Sequence, residues 1–260
     1  MDKIIVPDKK LNIENYITDG SEGTIYEYNN KVIKIFFRDN DNFSNKHKKI
    51  EILSKMELDN FIFPKKLVYN KNEEFIGYMM EKVNFRYNNI QSAIDNSETL
   101  KEKIEILKKL ENMIKKAHEK NIVLVDLNFY NFLIGWDNEI YAVDTDNYNI
   151  LGYKHDLNPT FYYRHYIYKV SKEITSDIDK MSFAINLLYL LCKERINRNC
   201  FTATFKSYDY DKVFISSLDI DNELKEKLFC SLSDSLNKPY IGDSLDLLNE
   251  NDSFIYKRKR

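Results

Sequence analysis

A glycine-containing turn and a lysine in an apolar strand are the first residues in the chain whose types suggest chemistry. Gly20 and Gly23 lie between two segments of strand character, and glycines at such a turn let backbone N–H groups approach phosphate oxygens without interference from a Cβ atom. Lys34 follows in a third strand candidate, on the face opposite Ile33 and Ile35, because side chains alternate along a strand. A lysine beneath a phosphate-binding turn is one interpretation. An ordinary hairpin with an exposed edge-strand lysine is the other, and it would be preferred if these residues stood alone.

Two further stretches carry polar side chains on apolar segments. Asp126 and Asn131 stand five residues apart between apolar runs, and Asp144 follows the apolar segment at residues 140–143. A helix cap would explain Asp126 alone, and a turn would explain Asp144 alone. Because several polar groups arrive on apolar segments in this way, coincidence explains them less well than convergence, and we expect them to meet Lys34 at one cleft.

The elements that must position these residues differ along the chain. Up to about residue 85, short runs of β-branched and aromatic residues predict strands, and one segment has helical periodicity. The predicted strands cover residues 13–17, 24–28, 31–37, 66–69 and 74–81, the helix covers residues 45–56, and Asn29-Asn30 marks a hairpin turn. This region therefore predicts a small antiparallel sheet with one helix.

Beyond residue 85 the patterns are mainly helical. Thr99, with Glu102 three residues later, resembles a capping box at the start of a long amphipathic helix that ends near Asn121. Later segments predict a short β region at 132–143, an apolar helix at 181–191 and further helices over 209–248. The sequence thus predicts an α+β fold, with a β-rich N-terminal lobe and a larger, mainly helical C-terminal lobe.

Composition excludes several classes of protein. Hydrophobic residues make up 43% of the 260 residues and aromatic residues 14%, which excludes wholesale disorder. The charges nearly cancel, with 39 Lys and Arg against 41 Asp and Glu, so we expect neither nucleic acid nor anionic lipid as a partner. No apolar run approaches the ~20 residues that span a bilayer, and the first residues lack a signal-peptide pattern. Three cysteines without a CxxC pair are typical of a reduced compartment, so we expect a cytoplasmic protein.

In their order and spacing, these residues resemble motifs of the protein-kinase superfamily, from about residue 17 to at least residue 191. Three of the motifs bind the nucleotide in kinases. The glycine loop GxGxxGxV matches residues 18–25, with Thr18 in place of its first glycine. The lysine of V-A-I-K matches Lys34, and the hinge matches residues 80–83. The resemblance implies that ATP is the cofactor. It assigns the contacts with ATP to Ile17, Gly20, Ser21, Gly23, Ile25, Lys34, Glu81 and Val83.

The catalytic motifs lie in the middle of the chain. Asp126 and Asn131 match the first and last polar residues of D-x-x-x-x-N, and Asp144 matches the aspartate of D-F-G. The resemblance implies that Asp126 orients the attacking hydroxyl and accepts its proton, while Asn131 and Asp144 hold Mg²⁺, which prefers oxygen ligands. Asp179 resembles the aspartate that begins the central C-lobe helix of kinases and braces the catalytic loop.

Kinases pair the strand lysine with a glutamate of the N-lobe helix. Glu51 is the only acidic residue in residues 46–56, and we assign it to the catalytic residues together with Lys34 and Asp126. A different register of the helix would put Lys49 at that position instead. These two positions lie on different faces of a helix.

The sequence also departs from the kinase pattern. Leu124 and Val125 replace His-Arg before the catalytic aspartate, Thr145 and Asp146 replace Phe-Gly after Asp144, and A-P-E is absent. Asp146 is interpreted either as an additional metal ligand or as a solvated turn carboxylate. With these departures, the motifs look closer to bacterial atypical kinases and to aminoglycoside-type phosphotransferases.

The resemblance implies a two-lobed protein-kinase-like fold, one domain over residues 10–260 with an N-lobe at 1–83 and a C-lobe at 84–260. We expect an atypical serine/threonine protein kinase that transfers the γ-phosphate of Mg-ATP to a hydroxyl of a protein substrate. Two alternatives stay open: a phosphotransferase for small hydroxylated molecules, and a pseudokinase that binds nucleotide as a scaffold. The sequence indicates no oligomeric state.

Overall fold

The computed structural model has a mixed α/β fold with a six-stranded sheet, a three-stranded sheet and helices. It describes residues 3–7, 11–20, 22–37, 43–150, 152–153, 174–191, 212, 215–233 and 236–248, with the backbone alone for 43–44 and 189–191. Ser21, assigned to the ATP site from the sequence, lies outside the described residues. The chain divides into two units, Met1–Arg86 with Leu133–Asp146 and Tyr87–Phe132 with Asn147–Arg260.

The six-stranded sheet belongs to the first unit. Its strands are β1 (Lys3–Ile5), β2 (Tyr16–Asp19), β3 (Gly23–Tyr28), β4 (Lys31–Phe36), β5 (Lys66–Tyr69) and β6 (Phe75–Glu81), in the order β1-β5-β6-β4-β3-β2. The strands of each neighbouring pair are antiparallel except β1 and β5, which run parallel. The expectation of an antiparallel sheet is therefore wrong at this edge, because a strand of three residues is too short to produce a recognisable pattern.

Strand β4 lies inside the sheet, between β3 and β6. Ile33 packs on one face with Val6 and Val68, and all three side chains are completely buried. Lys34 points to the opposite face, as the alternation of the sequence predicts. Asn29 and Asn30 join β3 to β4 with φ angles of 50° and 59°, which confirms the predicted hairpin turn.

In the described part of the chain, one helix packs on this sheet. Helix α1 (Phe43–Leu53) lies against β5 and β6, and it buries Ile50 and Leu53. The buried side chains recur every three or four residues, which is the period of one face of a helix. Its buried face also includes two lysines, Lys46 and Lys49.

The three-stranded sheet positions the residues that precede Asp144. Its strands are β7 (Phe85–Tyr87), β8 (Phe132–Gly135) and β9 (Ile140–Ala142), in the order β7-β8-β9. Ala142, the last residue of β9, donates a hydrogen bond to the Asn60 carbonyl and accepts one from the Ile62 N–H, both at 2.9 Å. These two bonds fix the backbone immediately before Asp144.

Helices make up most of the described part of the second unit. They are α2 (Ile90–Asp95), α3 (Leu100–Glu119), α4 (Ser176–Leu191) and α5 (Asn222–Leu232), followed by a 3₁₀ segment at Gly242–Leu247. Helix α3 begins with the predicted capping box, in which Thr99 and Glu102 exchange hydrogen bonds. Helix α4 is buried all round over residues 181–188, as its apolar sequence predicts. Among the described residues, no helix combines the length and apolar character needed to cross a membrane.

Candidate functional site

The first group of candidate functional residues surrounds Lys34 in the first unit. We name it the Lys34 cluster, and it consists of Glu22, Lys34, Lys46, Tyr78, Asp144 and Asp146. The Lys34 ammonium lies 2.5 Å from Asp144 Oδ1, and 3.0 and 3.1 Å from the two carboxylate oxygens of Asp146. Its third acidic neighbour, Glu22, is 3.8 Å away. The Lys34 side chain is only 3% exposed, so these ion pairs form largely out of contact with water.

A short turn brings Asp144 and Asp146 to the lysine. After β9 the backbone turns at Asp144. Its φ of 58° lies in the left-handed region that residues other than glycine seldom adopt. Thr145, the next residue, begins a 3₁₀ turn, and its hydroxyl donates a 3.0 Å hydrogen bond to the Ile62 carbonyl. A residue held in this part of φ/ψ space stores strain of about 1 kcal/mol or more, which is characteristic of functional sites.

Asp146 is buried, and neither sequence interpretation of it describes this environment. Its side chain is 1% exposed, so it is not a solvated turn carboxylate. The buried Tyr78 hydroxyl donates a 2.7 Å hydrogen bond to Asp146 Oδ1, while both oxygens accept from Lys34. Because its oxygens are engaged in this way, Asp146 is better described as a partner of Lys34 than as an additional metal ligand.

Charge and burial oppose each other in this cluster. Burial acts to raise the pKa of Asp146, but the Lys34 ammonium, the Tyr78 hydrogen bond and Lys46 outweigh it and lower that pKa to about 2. Burial also acts to lower the pKa of Lys34, but Asp146 and Asp144 raise it above its ordinary value. Burial, followed by the charge of Asp146, raises the pKa of the Tyr78 hydroxyl. Lys34 is therefore held as an ammonium, Asp146 as a carboxylate and Tyr78 as a neutral hydrogen-bond donor.

Asp144 differs from Asp146 in its access to solvent. Its side chain is 32% exposed, although it accepts a hydrogen bond from Lys34. Burial of the carboxyl group raises the pKa of Asp144, against the opposing effect of Lys34. Of the two aspartates, Asp144 is therefore the one that a ligand in solution can reach.

The assignment of Glu51 as the partner of Lys34 is wrong. Glu51 lies 3.9 Å from His47 and its side chain is 43% exposed. The helix instead turns Lys46 inward, 2.8 Å from the carboxylate of Glu22, and Lys49 is buried on the same side. The physical reason is helical register: Glu51 follows Lys46 by five residues, which places it about 140° around the helix.

The two glycines of the candidate phosphate turn have different structural roles. A Cβ atom on Gly23 would lie 2.3 Å from the Ile35 carbonyl oxygen, so the pairing of β3 with β4 requires glycine there. A Cβ atom on Gly20 would meet only the Gly23 carbonyl, at an ordinary 3.5 Å. The Gly20 N–H donates a 2.8 Å hydrogen bond to that same carbonyl. A steric requirement therefore explains why position 23 is glycine, but it does not explain why position 20 is glycine.

The remaining predicted ATP contacts lie on or just after strands of the first unit. Ile17 is on β2 and is 45% exposed, and Ile25 is half-buried on β3, opposite Lys34 in the register of β3 with β4. Glu81 ends β6, and its exposed carboxylate forms an ion pair with Lys31. Val83, two residues later, is half-buried.

The second group of candidate functional residues is the loop at 126–131 in the second unit. The Asn131 amide donates to the Asp126 carbonyl at 3.1 Å and approaches its carboxylate at 3.4 Å. Asn128 caps the 3₁₀ turn Phe129–Asn131, because its side chain accepts a hydrogen bond from the Tyr130 N–H at 2.9 Å. The loop thus places the predicted aspartate and asparagine side by side, and both are half-buried.

Asp179 braces the backbone just before this loop. Its carboxylate accepts hydrogen bonds from the Leu124 N–H at 2.7 Å and from the Val125 N–H at 2.9 Å. His118, at the end of α3, lies 2.8 Å from the same carboxylate, and its other ring nitrogen lies 2.7 Å from the Tyr240 hydroxyl. Burial and nearby carboxylates raise the pKa of Tyr240 to about 12. The bracing role expected of Asp179 is confirmed.

The donor atoms at Asp144 and Asn131 fit Mg²⁺ in chemical type. Both supply oxygen, the ligand that this hard cation prefers, and the Asp144 carboxylate is accessible. Within the described residues, no group of three or more His, Cys, Asp or Glu side chains is arranged to hold a metal ion. At many protein sites Mg²⁺ is held by one or two protein oxygens, with water and phosphate oxygens as its other ligands.

Tyr78, Glu22 and Lys46 are the members of the Lys34 cluster that sequence analysis missed. Tyr78 lies directly opposite Lys34 in the pairing of β4 with β6, which are separated in the sequence by a helix and a strand. Tyr78 stands out in the sequence as a hydroxyl-bearing residue in a mostly apolar strand, and Glu22 as an acid beside Gly23, whereas Lys46 lies among polar residues and has no such signal. No protein-family model matches the chain, and no curated protein matches it significantly.

Proposed function

We propose that this chain is an ATP-dependent phosphotransferase of the protein-kinase superfamily, which transfers the γ-phosphate of Mg-ATP to a hydroxyl group. One observation carries the proposal: the buried Lys34 ammonium contacts both Asp144 and Asp146. Removing such charges from water costs on the order of several kcal/mol per ion, and well-packed apolar residues often serve stability as well or better. A functional demand for a fixed cation beside an accessible carboxylate is the better explanation.

In this proposal the first unit handles the nucleotide. Lys34 binds the α- and β-phosphates, and the backbone at Gly20 and Gly23 covers the triphosphate. Asp144 and Asn131 hold Mg²⁺, which would neutralise the charge on the phosphates during transfer. The side chains of Ile17, Ile25 and Val83, together with the backbone at Glu81, hold the adenine.

The loop at 126–131 provides the group that acts on the acceptor. Asp126 orients the acceptor hydroxyl and takes up its proton as the new phosphate ester forms, while the bond between the γ-phosphorus and the bridging oxygen breaks and ADP leaves. Asn131 hydrogen-bonds the Asp126 backbone and so limits the conformations of the loop. Asp179 supports this role, because it fixes the two residues that precede Asp126.

We further propose a two-lobed protein-kinase-like organisation, in which the sheet of the first unit is the ATP-binding lobe and the helical second unit is the catalytic lobe. The favoured acceptor is a serine or threonine hydroxyl of a protein. Support for the lobe assignment comes from the order of elements: Lys34 on a strand, then a long helix, then the 126–131 loop, β8, β9 and Asp144.

Transfer of radiolabelled γ-phosphate tests the proposal. Wild type should label itself or a generic protein substrate, and Asp126→Asn should reduce kcat by about 100-fold or more, the usual contribution of a general base. Fluorescent ATP should bind wild type and Asp126→Asn with similar affinity. Asp59→Asn, at an exposed aspartate, is the matched control and should retain full activity.

Each other result has a distinct meaning. Turnover by Asp126→Asn at the wild-type rate would remove Asp126 from its role. Labelling only of small hydroxylated molecules, in a parallel panel that includes aminoglycosides, would indicate the small-molecule enzyme. Binding of ATP without turnover would indicate a pseudokinase, and a wild type that binds no ATP would contradict the proposal.

A further inference from the structure

The lysine of the candidate nucleotide site is fixed by an acid that does not come from helix α1. Both oxygens of Asp146 accept from the Lys34 ammonium, at 3.0 and 3.1 Å. The acid of α1, Glu51, lies beside His47 instead, and Lys46 of that helix faces inward and pairs with Glu22. Among the described residues, the acids paired with Lys34 are therefore Glu22, Asp144 and Asp146.

Tyr78 completes the arrangement around Asp146. It is paired with Lys34 across β4 and β6, so both side chains leave the sheet at neighbouring points on one face. Its hydroxyl donates to Asp146 Oδ1 at 2.7 Å, and its side chain is completely buried. Asp146 thus accepts hydrogen bonds from Lys34 of β4 and from Tyr78 of β6. These two strands fix the carboxylate, and the carboxylate in turn fixes the Lys34 ammonium.

The two aspartates of this turn have different environments. Asp146 is 1% exposed, and its oxygens face Lys34 and Tyr78. Asp144 is 32% exposed, although it also contacts Lys34. Two carboxylates with equal access to Mg²⁺ would be expected to have the same function. The difference in exposure indicates instead that Asp144 and Asp146 have different functions.

We propose that Asp146, oriented by Tyr78, is the positioning residue for Lys34 and replaces a helix glutamate in that role, which leaves Asp144 to bind Mg²⁺. This inference rests on the proposed function. It has a mechanical consequence, because Lys34 is held by the sheet and the turn after β9. The orientation of Lys34 is then independent of any change in the position of Glu51.

Asp146→Asn and Asp144→Asn form a charge-matched pair that tests the inference. Each removes one negative charge next to Lys34, so any general electrostatic effect on phosphate binding is common to both. Affinity for fluorescent ATP is measured in EDTA and then over a range of Mg²⁺ concentrations, and kcat and KM for ATP are measured at saturating Mg²⁺.

We expect the two variants to differ in their affinity for ATP without metal and in their response to Mg²⁺. Without metal, Asp146→Asn should bind ATP about 10-fold more weakly than Asp144→Asn, the effect of losing a charge-assisted hydrogen bond that orients the lysine. With metal, Asp146→Asn should keep the Mg²⁺ half-saturation of the wild type, whereas Asp144→Asn should lose most of the gain in affinity that Mg²⁺ provides. Asp146→Glu should recover part of kcat, because it restores a carboxylate for Lys34.

Tyr78→Phe provides a second test that does not depend on the folding of Asp146→Asn. It removes the hydroxyl that donates to Asp146, so it should lower kcat by about 3- to 10-fold. The Mg²⁺ requirement should be unchanged. Glu51→Gln is the control, and it should match wild type in both assays.

Several outcomes would overturn the inference. These are a Tyr78→Phe variant with wild-type kcat, an Asp146→Asn variant whose Mg²⁺ requirement rises as that of Asp144→Asn does, and a Glu51→Gln variant with reduced kcat. A wild type that binds ATP while all these variants behave alike would reject the role of Asp146 and leave the proposed function intact. A wild type that binds no nucleotide would reject both.

Discussion

The Asp179 carboxylate accepts a 2.9 Å hydrogen bond from the Val125 N–H, and Val125 holds a φ of 68°. A β-branched residue in the left-handed region is a pronounced outlier, and it persists only where neighbouring groups hold the backbone. Val125 is fully buried and packs with Ile178 of α4. Asp179 therefore holds a strained backbone in place immediately before Asp126.

We predict that Asp179→Ala lowers the free energy of unfolding by about 3 kcal/mol or more, because it leaves the buried N–H groups of Leu124 and Val125 without an acceptor. Asp179→Asn retains one acceptor oxygen and should cost less. Urea denaturation measures both values. Glu105→Ala, at an exposed residue of α3, is the control and should change stability by less than about 0.5 kcal/mol. Wild-type stability in Asp179→Ala would show that the hydrogen bonds do not hold this backbone.

The two glycines of the candidate phosphate turn should respond differently to the same substitution. Gly23→Ala puts a Cβ atom 2.3 Å from the Ile35 carbonyl oxygen, so it should destabilise the protein by about 1–3 kcal/mol. Gly20→Ala creates only an ordinary contact and should change stability by less than about 0.5 kcal/mol. Thermal unfolding of the two variants checks this difference. Equal loss of stability in both would contradict the roles described above.

Gly20→Ala also tests the function of the turn. If backbone N–H groups at the turn approach phosphate, a Cβ atom there should weaken ATP binding without loss of stability. Fluorescent ATP titration measures the affinity. Unchanged affinity in a stable Gly20→Ala variant would mean that the turn at Gly20 does not lie over the triphosphate.

The buried ion pair between Glu22 and Lys46 should show strong energetic coupling. The pair is 2.8 Å long, and both side chains are less than a tenth exposed. Glu22→Gln leaves Lys46 buried without its partner, so it should lower the free energy of unfolding by about 3 kcal/mol. The double variant Glu22→Gln/Lys46→Met should be more stable than the sum of the single variants by about 1 kcal/mol or more.

A double-mutant cycle in urea supplies these values. The exposed pair Lys82 and Glu27, at 2.7 Å, is a control with similar geometry and should show a coupling of less than about 1 kcal/mol. Additive effects at Glu22 and Lys46 would indicate that this pair is not formed in solution.

Local patterns predicted β3 to β6, α1 and α3 to within a few residues, because each pattern depends on near neighbours. The predicted strand at 13–17 overlaps β2 only at residues 16 and 17, and the short elements β1, β7 and α2 were not predicted. Alternation in β4 predicted that Lys34 and Ile33 lie on opposite faces, and the spacing of Thr99 and Glu102 predicted the start of α3. The proximity of Asp126 and Asn131 likewise follows from their short separation, since the loop between them contains a single turn.

The partners of Lys34 could not be predicted in the same way. Tyr78 and Asp146 reach the lysine through the pairing of β4 with β6 and through the anchoring of Ala142 to Asn60 and Ile62, which are long-range hydrogen bonds. Glu51 is the only acid in its helical segment, but composition does not specify which face of a helix is buried. Burial of Lys46 was not expected, because lysine seldom occupies a buried face without a partner such as Glu22.

The parallel pairing of β1 with β5 has a practical consequence for protein engineering. Val6 follows β1, is completely buried, and packs behind Ile33 on the face of β4 that Lys34 does not use. A shortened chain without residues 1–7 would lose this packing and would leave β5 as an uncovered edge of the sheet. Uncovered edges recruit strands from other molecules, so self-association is the first defect to expect from such a truncation.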